Sequence, residues 1–399
     1  MKTKIGVGVS RDRNPIKAIK EAFAIAKTNG GIHTPTTTIL FATTGYDQNA
    51  LVKTLRVENG KTPMFGCSGM GTITNGISYE DPYSVQVTLI ESDDFKFHLY
   101  RETGAGGRSR EIGEKLGKSF SAHQSEEPIA LFCLTDGLST YFEQLREGFE
   151  ATLNLKKFVP LLGGLAGDSF EFKKTYQYFN DEVLTDSTVA ALMTGQGEVA
   201  VSVGHGACTV GEELEITKSD EKVIYEINGK PALRFWQDYL DIKEIGSDWG
   251  KTAMLLTMGF QVPGQKSGDY ILRFTPNADS KNNSVVLNNE IPRGQTKFRM
   301  MRRDVEKVAK GNQEMVEGLK AQIGKNKPHL VMVFDCGARG KLFVPEDEKN
   351  RMLAQMKDDL GIEVPWIGFH SFGEIGPVGG KNAVHNHSAV LVAIHSKAA

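Results

Sequence analysis

Short apolar runs alternate along this chain with amphipathic stretches, and the alternation repeats. Residues 37–42 read as a buried strand ending in Thr43-Thr44-Gly45. Leu51 and Leu55 then fall on one helical face behind Asp47, a side chain suited to cap a helix N-terminus. Pro63-Met64-Phe65-Gly66 follows, then a glycine-rich loop over 67–76 and an apolar strand over 84–90. The same order returns twice. Residues 129–134 end in Thr135-Asp136-Gly137, and Phe142, Leu145 and Phe149 mark a helix face. Pro160-Leu161-Leu162-Gly163, the loop 164–168 and a strand over 188–193 complete this second unit. Residues 330–334 end in Asp335-Cys336-Gly337. Leu353, Met356 and Leu360 mark the helix, and Pro365-Trp366-Ile367-Gly368, the loop 370–380 and a strand over 389–394 close the third.

Uninterrupted apolar strands between amphipathic helices predict α/β layering, with strands buried on both faces. The expected fold is a two-lobed, mixed-sheet α/β architecture carrying three internal β-α-β(Pro-x-x-Gly)-loop-β repeats. The second and third units lie about twice as far apart as the first and second, and residues 205–325 occupy the extra length. That region holds a helical pattern over 231–240 and strand-like stretches over 270–274 and 285–287. Asn228-Gly229-Lys230-Pro231 reads as a turn into a helix, placing a boundary between domains 1–230 and 231–399. Ligands of open α/β sheets sit beyond the carboxyl ends of strands. The candidate positions are therefore the strand ends at Thr43-Thr44, Gly66–Ser68, Asp136, Gly163–Gly164, Cys336–Arg339 and Phe369–Glu374, lining one cleft or several.

At 399 residues the chain exceeds one ordinary core. With 47 Lys+Arg against 49 Asp+Glu, it has no basic excess to draw it to nucleic acid or to a membrane surface. The densest basic run, Lys297, Arg299, Arg302 and Arg303, reads as a solvated face. The apolar stretch near the N-terminus is too short for an export signal, and no window is long enough for a membrane helix. Cys67, Cys133, Cys208 and Cys336 are widely spaced, which argues against a disulfide framework and points to a reducing cytoplasm.

Phosphate loops do not survive inspection. Residues 246–252 resemble a Walker A loop but are one residue short, and Gly104-Ala105-Gly106-Gly107 lacks the last glycine of a dinucleotide fingerprint. Gly66-Cys67-Ser68-Gly69 presents a thiol and a hydroxyl at a strand end but does not match a nucleophile elbow. Arg339, beside Cys336, can grip a carboxylate in a forked geometry. His385-Asn386-His387 would place two imidazoles on one face of an extended chain, although a hydrogen-bonded histidine is the commoner role.

The segments PMFGCSGMG (63–71), GGLAGD (163–168), YEINGKPALRFWQDYL (225–240), CGARG (336–340) and GFHSFGEIG (368–376), followed by His385-Asn386, resemble FIST-domain signatures, in family order and over nearly the whole chain. The resemblance implies a sensory module of bacterial signal transduction, with no catalytic residues. The expected ligand is an amino acid or similar metabolite. The expected partner is a separate signalling protein such as a histidine kinase or a cyclic-di-GMP enzyme. Arg339 and Glu374 are the expected ligand contacts, with Ser68, Asp168, Cys336 and Cys67 behind them. Some family members resemble haem-based nitric oxide sensors, for which His370, His387 and His205 are the candidate axial ligands here, in that order. A cysteine-dependent enzyme is the remaining alternative.

Overall fold

The computed structural model describes residues 3–123, 126–153, 158–242, 249, 256–262 and 269–397. Three six-stranded sheets are built to one scheme. The first runs, edge to edge, Lys4–Ser10, Val85–Glu91, Thr37–Ala42, Met64–Ser68, Gln177–Phe179 and Glu182–Leu184. The second runs Phe95–Thr103, Ser187–Gly195, Pro128–Asp136, Leu161–Ala166, Gly373–Val378 and Lys381–His385. The third runs Gly197–His205, Ser388–Ser396, Pro328–Cys336, Trp366–Ser371, Thr72–Thr74 and Ile77–Tyr79. In each, the Pro-x-x-Gly strand is parallel to the strand before its helix and the remaining pairs are antiparallel. The proline carbonyl takes the same bond each time: Thr38 N–H donates to Pro63, Leu131 to Pro160 and Val331 to Pro365, at 2.9, 2.9 and 3.0 Å.

Each unit carries a short hairpin, overlapping its glycine-rich loop in the first and third and lying after it in the second, and each hairpin leaves its own sheet. The first unit's hairpin joins the third sheet, the third's joins the second, and the second's joins the first. At the crossing points the backbone bonds also close a ring. Met70 N–H donates to His370 O, Phe372 N–H to Leu165 O and Gly167 N–H to Ser68 O, at 2.9, 3.0 and 3.0 Å. The strand ends of all three units therefore meet around one axis.

Each sheet packs a helix pair on its outer face: Pro15–Gly30 with Gln48–Asn59, Ser109–Ser121 with Phe142–Thr152, and Val305–Ile323 with Glu346–Leu360. The caps explain where the first begins and ends. Asn14 accepts from the N–H groups of Ile16 and Lys17, Pro15 opens the helix, and Gly31 closes it in the left-handed region at φ 57°. Asp47 caps the next helix through Ala50 N–H at 3.1 Å, as its sequence position predicts. The inner faces share one core, with Phe41 and Phe65 from the first sheet, Phe132 and Leu162 from the second, and Phe334 and Phe369 from the third. Each such buried side chain contributes about 1.5–3 kcal/mol of transfer free energy.

The third unit contains an insertion. Between its edge strand Gly197–His205 and the helix Val305–Ile323, the chain departs into an eight-stranded sheet with its own core around Trp236, Phe260 and Phe298. The chain leaves and returns at one neck, where Asp304 N–H donates to Gly206 O at 3.4 Å. The boundary near residue 230 falls inside this sheet, because Ala207–Asp220 pairs with Lys297–Arg303 and Val223–Ile227 with Ser284–Val286. Pro231 lies one position before the helix Ala232–Leu240 rather than in its first turn. Among the described residues, no helix is long and apolar enough to cross a membrane.

Candidate ligand-binding site

The strand Pro128–Asp136 ends in a carboxylate, and its counterpart Pro328–Cys336 ends in Asp335 and Cys336. At the third unit's end the polar groups are most concentrated and most buried. Asp335 is 1% exposed and binds two cations. Arg339, on a single 3-10 turn, donates from Nε to Asp335 Oδ1 at 2.8 Å and from Nη2 to Asn312 Oδ1 at 2.6 Å. Lys349, on the next helix, reaches Asp335 Oδ2. Burial alone would raise the Asp335 carboxyl, but Lys349 and Arg339 hold it well below its ordinary range. Arg339 is thus tied down on two of its nitrogens, and Nη1 has no hydrogen-bond partner.

Glu374 sits on the crossing hairpin. Ser371 Oγ and Ser388 Oγ donate to its two oxygens, each at 2.8 Å, and burial pushes its carboxyl up to about 8. Burial and then Glu374 push the Cys336 thiol far above its ordinary value, against the backbone N–H groups of Ala338 and His387 that face it. His387 occupies the turn before the last strand with φ 54°, fully buried, its ring stacked on Phe274 of the inserted sheet at 5.1 Å. Neither ring nitrogen has a partner. Burial, then Arg303 and Arg339, hold that imidazole well below its ordinary value, so it is neutral. A buried polar group without a partner is costly, and a ligand or ordered water is the usual resolution. The arrangement offers a guanidinium with one unpartnered nitrogen, a neutral donor–acceptor ring and a protonated carboxyl.

Sequence reasoning misread Arg303. It lies in the basic run taken as a solvated face, but the strand buries it: Nη1 donates to Ala338 O, and the guanidinium lies 4.5 Å over the Phe343 ring. Asp335, Lys349 and Phe274 were also missed. An acid closing an apolar run was a visible signal for Asp335, whereas Phe274 reaches the site only through the fold.

The other expected contacts lie elsewhere. Ser68 donates to Gly167 O at 2.8 Å and accepts from Tyr176 N–H at 2.9 Å, joining two units. Asp168 accepts from the N–H groups of Phe172, Lys173 and Lys174 at 3.0, 2.8 and 3.2 Å. It thereby props a loop in which Phe170 and Phe172 both have positive φ and pack against Phe372. Cys67 is fully buried in the shared core, and burial raises its thiol well above its ordinary value.

Residues 36–230 match the model of the FIST N domain, and residues 232–377 that of the FIST C domain. The chain belongs to the FIST family. FIST domains are sensory domains for small ligands in signal transduction. An uncharacterized protein of Mycobacterium tuberculosis is 26% identical over 397 residues, covering 97% of this chain and 98% of its own. One of Methanocaldococcus jannaschii is 27% identical over 220 residues, covering 51% of this chain and 39% of its own. Among solved structures, a chorismatase aligns at a TM-score of 0.36 and 8% identity, covering 99% of this chain and all of the other. PurLQS from Thermotoga maritima aligns at 0.26 and 7%, covering 99% and 72%. Neither likeness is close enough to bear on function.

The two FIST models meet inside the inserted sheet, so the third unit's strand end, its crossing hairpin and Phe274 all lie in or beside the FIST C segment. The three candidate axial histidines differ in their surroundings. His370 is fully buried, with Nε2 2.7 Å from Ser78 Oγ and Glu80 behind it at 3.7 Å. One face of the His387 ring is covered by Phe274. His205 is the more open of the three, and its Nδ1 accepts from Ala207 N–H at 3.2 Å. Two surface cavities, beside Gln144 and Arg293 and beside Arg56 and Phe97, are lined by none of these three.

Proposed function

We propose that this FIST protein is a sensor that binds an amino acid or related small carboxylate at the third unit's strand end and signals to a separate protein. The observation that carries the reading is His387, fully buried with both ring nitrogens unpartnered and within electrostatic reach of Arg339, whose buried Nη1 is likewise unpartnered. A carboxylate suits that guanidinium, and a neutral imidazole can both donate to and accept from the rest of the ligand. The inserted sheet supplies Phe274 and Arg303, so occupancy at this point bears on how the sheet sits against the three-unit body. That contact is the proposed route to a partner such as a histidine kinase or a cyclic-di-GMP enzyme. We further propose binding without catalysis. Cys67, Cys133 and Cys336 are all pushed away from the reactive thiolate by burial, Cys133 to about 12.

A thermal-shift screen of amino acids and organic acids tests the reading. Ligand at 100 times its dissociation constant stabilises the fold by about 2.7 kcal/mol. His387→Asn tolerates the left-handed backbone but removes the imidazole, and it should weaken the hit at least ~10-fold, the loss of one or two good hydrogen bonds. No hit in the library, or a hit unaffected by the substitution, overturns the proposal.

A further inference from the structure

A second cluster lies far from this site. Strand Phe95–Thr103 carries His98 on the second sheet, and the turn after the helix Ser109–Ser121 carries His123 and Glu126. That turn is closed by Glu126 N–H donating to His123 O at 3.0 Å, which brings the two side chains to one side. His98 Nε2 lies 3.1 Å from Glu126 Oε2, and His123 Nδ1 lies 3.3 Å from Glu126 Oε1. The two imidazoles stack at 3.8 Å with 28° between their planes, and the three donor atoms fall within 4.8 Å of one another.

We propose that His98, His123 and Glu126 bind a divalent transition-metal ion of the zinc class. Two nitrogens and a carboxylate oxygen are a ligand set that zinc takes, and tetrahedral bonds of about 2.0–2.2 Å place neighbouring donors roughly 3.3–3.5 Å apart. Each nitrogen lies at about that distance from a different oxygen of the carboxylate, His98 Nε2 at 3.1 Å from Oε2 and His123 Nδ1 at 3.3 Å from Oε1, so Glu126 would meet the ion through both oxygens. The outer contacts fit as well. Tyr100 OH lies 2.6 Å from His123 Nε2, where it accepts from the ring N–H once Nδ1 is the ligand. Thr194 Oγ1 donates to Glu126 Oε2 at 2.8 Å and orients the carboxylate. All three side chains are partly exposed, which leaves an open coordination position and a path for the ion.

The ion ties the turn to two strands of the second sheet. Thr194 pairs with Pro128, at the beginning of the strand whose other end is Asp136. Eight residue steps of strand, about 26 Å, therefore separate this cluster from the strand ends. The cluster is a site distinct from the ligand-binding one, and its test is independent of that reading.

The test uses untagged, full-length protein stripped with chelator and titrated with Co²⁺ and then Zn²⁺. One equivalent of Co²⁺ should give the visible absorption of a low-symmetry, four- or five-coordinate site, and Zn²⁺ should bleach it. His123→Ala and Glu126→Gln should abolish the spectrum or weaken binding more than ~10-fold. Tyr100→Phe, which touches only the outer contact, should weaken it by roughly 10-fold. His33→Ala, at an exposed position elsewhere, should change nothing. Wild-type protein that gives no such spectrum overturns the proposal, as do His123→Ala and Glu126→Gln proteins that bind Co²⁺ like the wild type.

Discussion

Glu374 illustrates how burial converts a common side chain into one with uncommon behaviour. Its folded-state carboxyl titrates near 8 against an ordinary value of 4.5. Between those values the folded protein holds a proton that the unfolded chain has lost, so raising the pH favours unfolding. The contribution is full below about 4.5 and is lost up to about 8, at close to 1.4 kcal/mol per pH unit. His385 works the other way, because burial lowers it to about 4 and its effect ends near 6.5. The window from about pH 6.5 to 8 therefore isolates Glu374 from His385. Urea unfolding across that window should show stability falling with pH in the wild type and a flatter profile in Glu374→Gln. Equal slopes in the two proteins would remove this account of the carboxyl. Glu374 and Arg339 were legible in the sequence as polar groups at strand ends. Arg303 was not, because which face of a strand a residue occupies depends on a pairing that spans about a hundred residues. His387 was visible as half of a histidine pair, but its unpartnered state is a property of the packed site alone.

At the scale of the element, the Pro-x-x-Gly signature has a physical cause. A Cβ at Gly66 would lie 1.8 Å from Leu40 O, at Gly163 2.3 Å from Cys133 O, and at Gly368 1.8 Å from Val333 O. Each glycine opposes that same residue across the parallel pair, so the two backbones approach closely where the strands turn toward the shared axis. Gly66→Ala, Gly163→Ala and Gly368→Ala should each cost about 1–3 kcal/mol in denaturant unfolding, as overpacking does. Gly163 belongs at the upper end, since its φ of 133° adds backbone strain. Losses under ~0.5 kcal/mol, typical of an unconstrained surface position, would mean that the pairs simply relax. Strands and helices of the repeats were readable because each carries its own periodicity. The hairpins were not. Pieces such as Thr72–Thr74 and Gln177–Phe179 span three residues, and their partners lie about 300 and 110 residues away. Too short to show a period, they leave no signal: Thr72–Thr74 falls inside a segment read as a glycine-rich loop, and Gln177–Phe179 in a stretch to which no element was assigned.

At the scale of the molecule, the exchange of hairpins decides what can stand alone. Residues 1–230 lack Trp366–Ser371, Gly373–Val378 and Ser388–Ser396. The hairpin at Thr72–Tyr79, the strand Leu161–Ala166 and the strand Gly197–His205 would each lose a partner. The family-model boundary is therefore no guide to an independent fragment. The neck at Gly206 and Asp304 is a better place to cut. Its two ends are hydrogen-bonded to each other at 3.4 Å, and the inserted sheet has its own core. A chain with residues 207–303 replaced by a two-residue turn should keep the three sheets, their shared core and a single cooperative thermal transition. It should also lose every contact that the insertion makes with the strand end, Phe274 on His387 and Arg303 on Ala338 among them. The expected result is a folded protein with native far-ultraviolet dichroism on which a ligand that stabilises the full chain has no effect. If the shortened chain instead melts without cooperativity, the insertion is part of the fold. If it folds and still responds to the ligand, the site does not depend on the inserted sheet, and a signalling route through that contact fails with it.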